Sequence, residues 1–169
     1  MTMKNSKTVF DFSRNRDQQP WDVIDDRIMG GSSRGGFAWS DRGTLFFQGE
    51  VSLENLGGFA SLRSPAGTYN LSGRRQAIIR VKGDGRRYQL GLRIDRYYDG
   101  VTYLAEFAPA AGQWEEVVLP FEDFLPTHHG QVLANAAALD LARIKSFALL
   151  ISGQQEGTFR LEVVWIKVA

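Results

Sequence analysis

Asp22, Asp25 and Asp26 place three carboxylates within five positions. With Asp11 they are the chain's candidate for a hard-cation site, because Ca²⁺ takes several oxygen ligands including backbone carbonyls. The Asp-x-Asp-x-Asp-Gly spacing of an EF-hand loop is absent, and turn capping by Asp side chains is the plainer use. Gly30-Gly31-Ser32-Ser33 follows directly and offers backbone N–H groups and hydroxyls suited to an anion. It lacks the Lys and the strand-to-helix setting of a phosphate loop, so a tight turn is the simpler reading. His128 and His129 are adjacent, and neighbours on an extended chain point apart, which argues against a shared metal. Glu50 and Glu106 could supply the two carboxylates of glycoside hydrolysis. Arg80 and Arg93, expected close by, would hold both ionised and oppose the raised pKa an acid needs. No Ser sits in a nucleophile-elbow context. No catalytic residue, metal or cofactor is therefore expected.

The remaining use for the segment Trp21 to Ser33 is recognition. Its polar residues are too dense for a core strand, and its Gly-Gly-Ser-Ser end would unravel a helix. It reads as a structured loop or edge segment that presents side chains. Arg27 and Arg93 would pair carboxylates of a partner, and Trp21 and Met29 would act as apolar anchors. Gly30 and Gly31 would let a partner backbone come close. Asp25, Asp26, Ser32 and Arg63 complete the expected partner-binding set. The competing expectation is that Trp21 and Met29 simply staple the loop to the protein.

The elements that must position this segment are strands. Leu45, Phe47, Val51 and Leu53 alternate with Gln48, Glu50 and Ser52; Tyr88, Leu90, Leu92 and Ile94 alternate with Gln89, Arg93 and Asp95. Val101, Tyr103, Ala105 and Phe107 form a third such series, and Phe159, Leu161, Val163 and Trp165 a fourth. This alternation predicts sheets with one face in a core and the other wetted. Shorter strands are predicted over 8–12, 59–63, 77–82, 114–119 and 146–151. The last is almost wholly apolar, as a central strand covered on both faces would be. Gly83-Asp84-Gly85 and Asp99-Gly100 carry hairpin-turn chemistry. One helical turn is expected at 120–125 and a short helix at 133–143. Trp114, Pro120, Phe121 and Phe124 read as a strand running into an apolar turn that plugs one end of a sandwich. The polar faces would gather Glu50, Arg80, Lys82, Gln89, Arg93 and Glu106 into one charged floor.

With 169 residues, 43% hydrophobic and 23% charged, the chain has the make-up of one globular domain. The expected division is a β-sandwich over 8–169 after a short flexible N-terminus, 1–7. A net charge of +1, from 20 basic against 19 acidic residues, gives no field that would favour nucleic acid or an anionic membrane. The absence of Cys suits a reducing compartment. No apolar run approaches the roughly 20 residues of a bilayer span, so a cytoplasmic protein without membrane insertion is expected.

Four segments together resemble the complex I intermediate-associated protein 30 family. They are Trp21 to Ser33, Gly57-Gly58-Phe59-Ala60-Ser61-Leu62-Arg63, Val81 to Arg86 with Tyr88, and Trp114 to Phe124; Leu149 to Phe159 is a weaker fifth. The resemblance runs over roughly residues 8–168 in the expected order. It implies an all-β, galactose-binding-like jelly-roll sandwich and a non-enzymatic protein. Mitochondrial members of the family act as chaperones in assembling respiratory complex I; this chain shows no transit peptide and resembles a stand-alone bacterial form. The function expected is a protein-binding assembly factor whose partners are subunits of a larger complex. The alternative is a carbohydrate or other small-ligand module. It would need exposed aromatics along a groove, and only Phe46, Tyr97 and Tyr98 are placed to serve.

Overall fold

The computed structural model describes residues 5–97 and 100–169, without the side chains of Met29 and Leu56. Tyr98, Asp99 and residues 1–4 of the expected N-terminal stretch lie outside the described residues. Among the described residues thirteen strands account for the architecture: β1 (Lys7–Asp11), β2 (Asp22–Asp25), β3 (Arg34–Trp39), β4 (Leu45–Val51), β5 (Ala60–Arg63), β6 (Gln76–Lys82) and β7 (Tyr88–Arg93). The second half adds β8 (Thr102–Phe107), β9 (Trp114–Pro120), β10 (Leu125–His128), β11 (Gln131–Val132), β12 (Ser146–Ile151) and β13 (Gly157–Val168). They form two antiparallel sheets. One runs β3-β4-β13-β6-β9 with β1 also on β13; the other runs β11-β10-β8-β7-β12-β5-β2. The four strands expected from alternation and the five shorter ones are all present, and β2, β3, β10 and β11 are additional.

The core lies between the sheets because each strand turns its apolar phase inward. Phe47, Tyr88, Leu90, Leu92, Phe147 and Leu149 are fully buried. Aromatic edges meet faces there, with Phe47 and Phe159 centroids 4.9 Å apart at 64° and Phe10 and Phe147 5.4 Å apart at 88°. Strand β12 is central, between β7 and β5, and buried on both faces along most of its length. The turn after β9 is a 3-10 turn, Phe121–Asp123, that buries Phe121 and Phe124 as an end plug.

Several expectations need correction. Gly83-Asp84-Gly85 does not close a hairpin. It carries the chain from β6 in one sheet to β7 in the other. No helix forms over 133–143; only the 3-10 turn Leu141–Arg143 does. Tertiary contacts override its alanine-rich propensity, with the Tyr103 hydroxyl donating to the Ala137 carbonyl at 2.6 Å and Leu71 N–H to the Leu141 carbonyl at 2.7 Å. Trp114 stands on the outer face, 38% exposed, rather than joining Phe121 and Phe124. Trp165 also leaves the core phase. The register of β13 shifts between Val163 and Trp165, and an extra residue at such a bulge reverses the faces beyond it. Ile166 and Val168 take the inward positions. The charged floor divides as well: Glu50, Arg80 and Lys82 lie on β4 and β6, whereas Gln89, Arg93 and Glu106 lie on β7 and β8 of the other sheet. Glu50 and Glu106 therefore belong to opposite layers and do not pair. No helix among the described residues is long and apolar enough to cross a membrane.

Candidate functional site

The segment from Trp21 to Gly35 forms one edge of the sandwich. Strand β2 is the last strand of the seven-stranded sheet and pairs β5, with Asp22 opposite Arg63 and Asp25 opposite Ala60. A 3-10 turn follows, Asp26–Met29, closed by Gly30 at φ 88°, a left-handed conformation that costs glycine little. Asp25 caps the turn by accepting from Arg27 N–H at 3.1 Å. Its carboxylate also takes two guanidinium bonds from Arg27, at 2.8 and 2.7 Å, and the N–H of Gly35 at 3.0 Å. The last bond reaches β3 and so ties the edges of the two sheets together.

Asp26 is 1% exposed and binds in the opposite direction. Its Oδ1 accepts from Ser33 N–H at 2.8 Å, and its Oδ2 from Gly58 N–H at 2.6 Å and Phe59 N–H at 3.2 Å. Its backbone carbonyl accepts from Gly31 N–H at 2.8 Å. Ser33 extends the lacing, its hydroxyl donating to Ser52 O at 3.1 Å and accepting from Ser52 N–H at 2.8 Å. Two glycines make room for the carboxylate. A Cβ on Gly31 would lie 2.4 Å from Oδ1, and one on Gly57 would lie 2.6 Å from Oδ2. Burial would raise the carboxyls of Asp25 and Asp26. For Asp25 this is outweighed by Arg27 and Gly35, and for Asp26 by Ser33, Gly58 and Phe59, so both stay below the usual carboxylate range.

The anion that Gly30-Gly31-Ser32-Ser33 was suited to hold is thus supplied by the chain itself, as Asp26. Both its oxygens accept backbone N–H groups, and the carboxylate of Asp25 is engaged by Arg27 and Gly35. The two aspartates act as fasteners between the 22–35 and 52–59 segments.

Other members of the expected site are dispersed. Trp21 is 2% exposed, packed 5.4 Å from Phe10 and 5.8 Å from Phe12, with its indole Nε1 lacking a hydrogen-bond partner among the described residues. It sits in the core. Arg93 is 2% exposed and donates to Thr102 Oγ1 at 2.6 Å and to the Tyr97 and Gly100 carbonyls, which pins the loop after β7. Two strands, β12 and β5, separate it from β2. Arg63 is half-buried beside Asp22. The Met29 side chain lies outside the described residues. Arg27, Gly30 and Ser32 remain on the surface.

What the sequence reading missed is apolar. Ile28 is 53% exposed, Val23 37% and Leu53 37%. These three of the eight exposed large hydrophobic side chains among the described residues stand on the segments that Asp25 and Asp26 fasten together. Leu53 approaches Gly58, and Val23 approaches Gly35. Nothing in the local pattern separates Ile28 from a core residue; only the direction of its turn does. Gly57-Gly58-Phe59 was visible as a family segment, but its role as the donor side of Asp26 required the fold.

Comparison with solved structures agrees with this architecture. The family 11 carbohydrate-binding module of the cellulase Lic26A-Cel5E of Clostridium thermocellum superposes with a TM-score of 0.71 at 16% identity, covering 99% of this chain and 95% of that one. A family 29 carbohydrate-binding module variant gives 0.54 at 9% identity, covering 97% and 84%. At such identities the likeness is one of fold, a galactose-binding-like jelly roll. Among curated proteins, the mitochondrial complex I intermediate-associated protein 30 of Mus musculus is 28% identical over 98% of this chain, and that of Drosophila melanogaster 24% identical over 94%. The chain spans 57% and 61% of their respective lengths. The family described as complex I intermediate-associated protein 30 matches residues 10–163, and the chain belongs to it.

Proposed function

We propose that this protein is a non-catalytic binding domain that associates with an assembly intermediate of a larger protein complex, and that the Arg27–Ile28 turn is its contact surface. The observation that carries the reading is the Asp25–Asp26 fastening, which fixes a turn whose outward residues are a cation and an exposed apolar side chain. A preorganised turn of this kind loses little entropy on binding, and Arg beside an apolar anchor suits a protein interface. The name of the mitochondrial relatives, complex I intermediate-associated protein 30, points to complex I as the complex concerned.

The carbohydrate reading has less support. The outward positions of the seven-stranded sheet, among them Ser61, Arg63, Gln89, Gly91, Leu104, Glu106, Ala148 and Leu150, carry no aromatic ring for a sugar to stack on. Phe46 has the Arg160 guanidinium 3.8 Å over its ring, and Tyr97 is exposed on a loop.

Affinity capture with cross-linking from the protein's own cells tests the assembly reading. Respiratory subunits should be enriched and cross-linked near residues 27 and 28, and Ile28→Asp, at an exposed position that leaves the Arg27–Asp25 pair intact, should abolish the enrichment without changing the melting temperature. Recovery of the protein alone, or unchanged partners in the variant, would sink the reading.

A further inference from the structure

The outer face of the six-stranded sheet carries a second constellation. Register sets Phe46 beside Glu162, Glu162 beside Lys82, and Lys82 beside Trp114; the next row sets Trp165 beside Arg80 and Arg80 beside Glu116. Every aromatic in this array has a cation over it. Arg160 lies 3.8 Å from the Phe46 centroid, Lys167 4.1 Å from Trp165, and Arg80 and Lys82 5.7 and 5.6 Å from Trp114.

Four cations in this setting would ordinarily pair with the carboxylates across the strands. Among the described residues none of the four makes an ion pair. Glu162 is drawn away by the Thr44 hydroxyl, which donates to its Oε2 at 2.7 Å. The cations are instead laid along the aromatic faces, which orients them and lowers the entropy lost when they meet a ligand. Trp114 and Val118, 38% and 43% exposed, provide an apolar margin to the same face.

We propose that this face docks an acidic protein segment whose carboxylates meet Arg80, Lys82, Arg160 and Lys167 over a floor of Trp114, Trp165 and Phe46. Charge complementarity selects the occupant. The ring faces a sugar would stack on are covered by the cations. A nucleic acid strand needs a continuous basic track for its phosphates, and Glu116 and Glu162 interrupt this one. A protein segment can place carboxylates at separate points and rest apolar groups on Val118 and the exposed edge of Trp114, the arrangement typical of Trp- and Arg-rich interface centres. This inference concerns a different face from the Arg27–Ile28 turn and does not rest on the assembly reading.

The test is titration of the full chain with a short oligo-glutamate peptide, followed by calorimetry and tryptophan fluorescence. Binding should be saturable and salt-sensitive. It should weaken at least about tenfold in the paired variants Arg80→Glu/Lys82→Glu and Arg160→Glu/Lys167→Glu, with melting temperatures unchanged. Trp114→Ala, at an exposed position, should weaken it too and serves if a charge reversal impairs folding. Ile28→Asp should bind the peptide like the parent protein. The proposal is overturned by no saturable binding, by equal binding in the folded variants, or by tighter binding of an oligothymidine strand or a phosphatidylserine vesicle than of the peptide.

Discussion

Asp26 and Gly58 are joined by a 2.6 Å hydrogen bond that spans 32 residues of sequence. With Ser33 and Phe59 donating to the same carboxylate, one buried side chain closes the 26–33 and 52–59 segments onto each other. Asp26→Asn keeps the shape but leaves one acceptor oxygen and turns an NH₂ group toward backbone donors. Hydrogen bonds to a charged acceptor contribute about 1.5–3 kcal/mol each, and a buried donor left unsatisfied costs a similar amount. Urea denaturation should show a loss of about 2–4 kcal/mol; a loss under about 1 kcal/mol would mean that the segments are held by something else.

The same carboxylates set a dependence on pH. Asp25 and Asp26 are held below their usual range in the folded protein, and Asp11 is too, chiefly through its Ser13 hydrogen bond. In the unfolded chain they titrate near about 3.9. The unfolded state therefore binds more protons in the acid range, so stability is full above that value and is lost as pH falls through it toward the folded values. Urea midpoints should be flat near neutrality and drop between about pH 5 and pH 3. The drop should be shallower in Asp26→Asn, while Asp25 and Asp11 keep part of it.

Gly31 offers a steric test, because its missing Cβ is the space that Asp26 occupies. Gly31→Ala should destabilise by about 1–3 kcal/mol, as overpacking does in a closed site. Gly36 on β3 is a control, since an added Cβ there meets only the Gln48 carbonyl at 3.8 Å. Gly36→Ala should stay within about 0.5 kcal/mol of the parent. In an Asp26→Ala background the cost of Gly31→Ala should shrink by at least about 0.5 kcal/mol, because two of the three clashing atoms are gone. Simple additivity in that cycle would contradict the packing described.

Alternation was enough to find the strands that carry one apolar face, such as Tyr88 to Leu92 and Phe159 to Val163. It failed where a strand's side chains serve another purpose. In β2, Asp22 and Asp25 flank only two apolar residues, and the β character comes from pairing with β5. In β3, Gly35 and Gly36 lower strand propensity, yet Gly35 fits because an added Cβ would come within 3.1 Å of Ala60. The outward turn of Trp165 depends on a bulge that a period-2 pattern cannot reveal. For the site, residue types predicted a structured Asp-Gly-Ser loop at the right place. That Asp25 and Asp26 face inward, leaving Arg27 and Ile28 outside, depends on donors contributed by Gly35, Gly58 and Phe59. Those partners are remote in sequence and not deducible from local spacing.

Trp21 and the Arg27–Ile28 turn should separate cleanly as folding and binding elements. The Trp21 indole N–H is buried without a partner, so Trp21→Phe removes no hydrogen bond and relieves an unsatisfied donor, at the expense of some ring volume. The two effects oppose each other, and the net change should be under about 1.5 kcal/mol. Trp21→Ala empties a site among Phe10 and Phe12 and should cost about 3–5 kcal/mol. Folded Trp21→Phe should capture the same partners as the parent protein, because the ring never reaches the surface. Ile28→Asp, which leaves the Arg27–Asp25 pair intact, should do the reverse, with a stability within about 0.5 kcal/mol of the parent and no captured partner. Retention of partners by the turn variant, together with their loss in a stable Trp21→Phe, would move the contact surface away from the turn and onto the face that Trp21 supports.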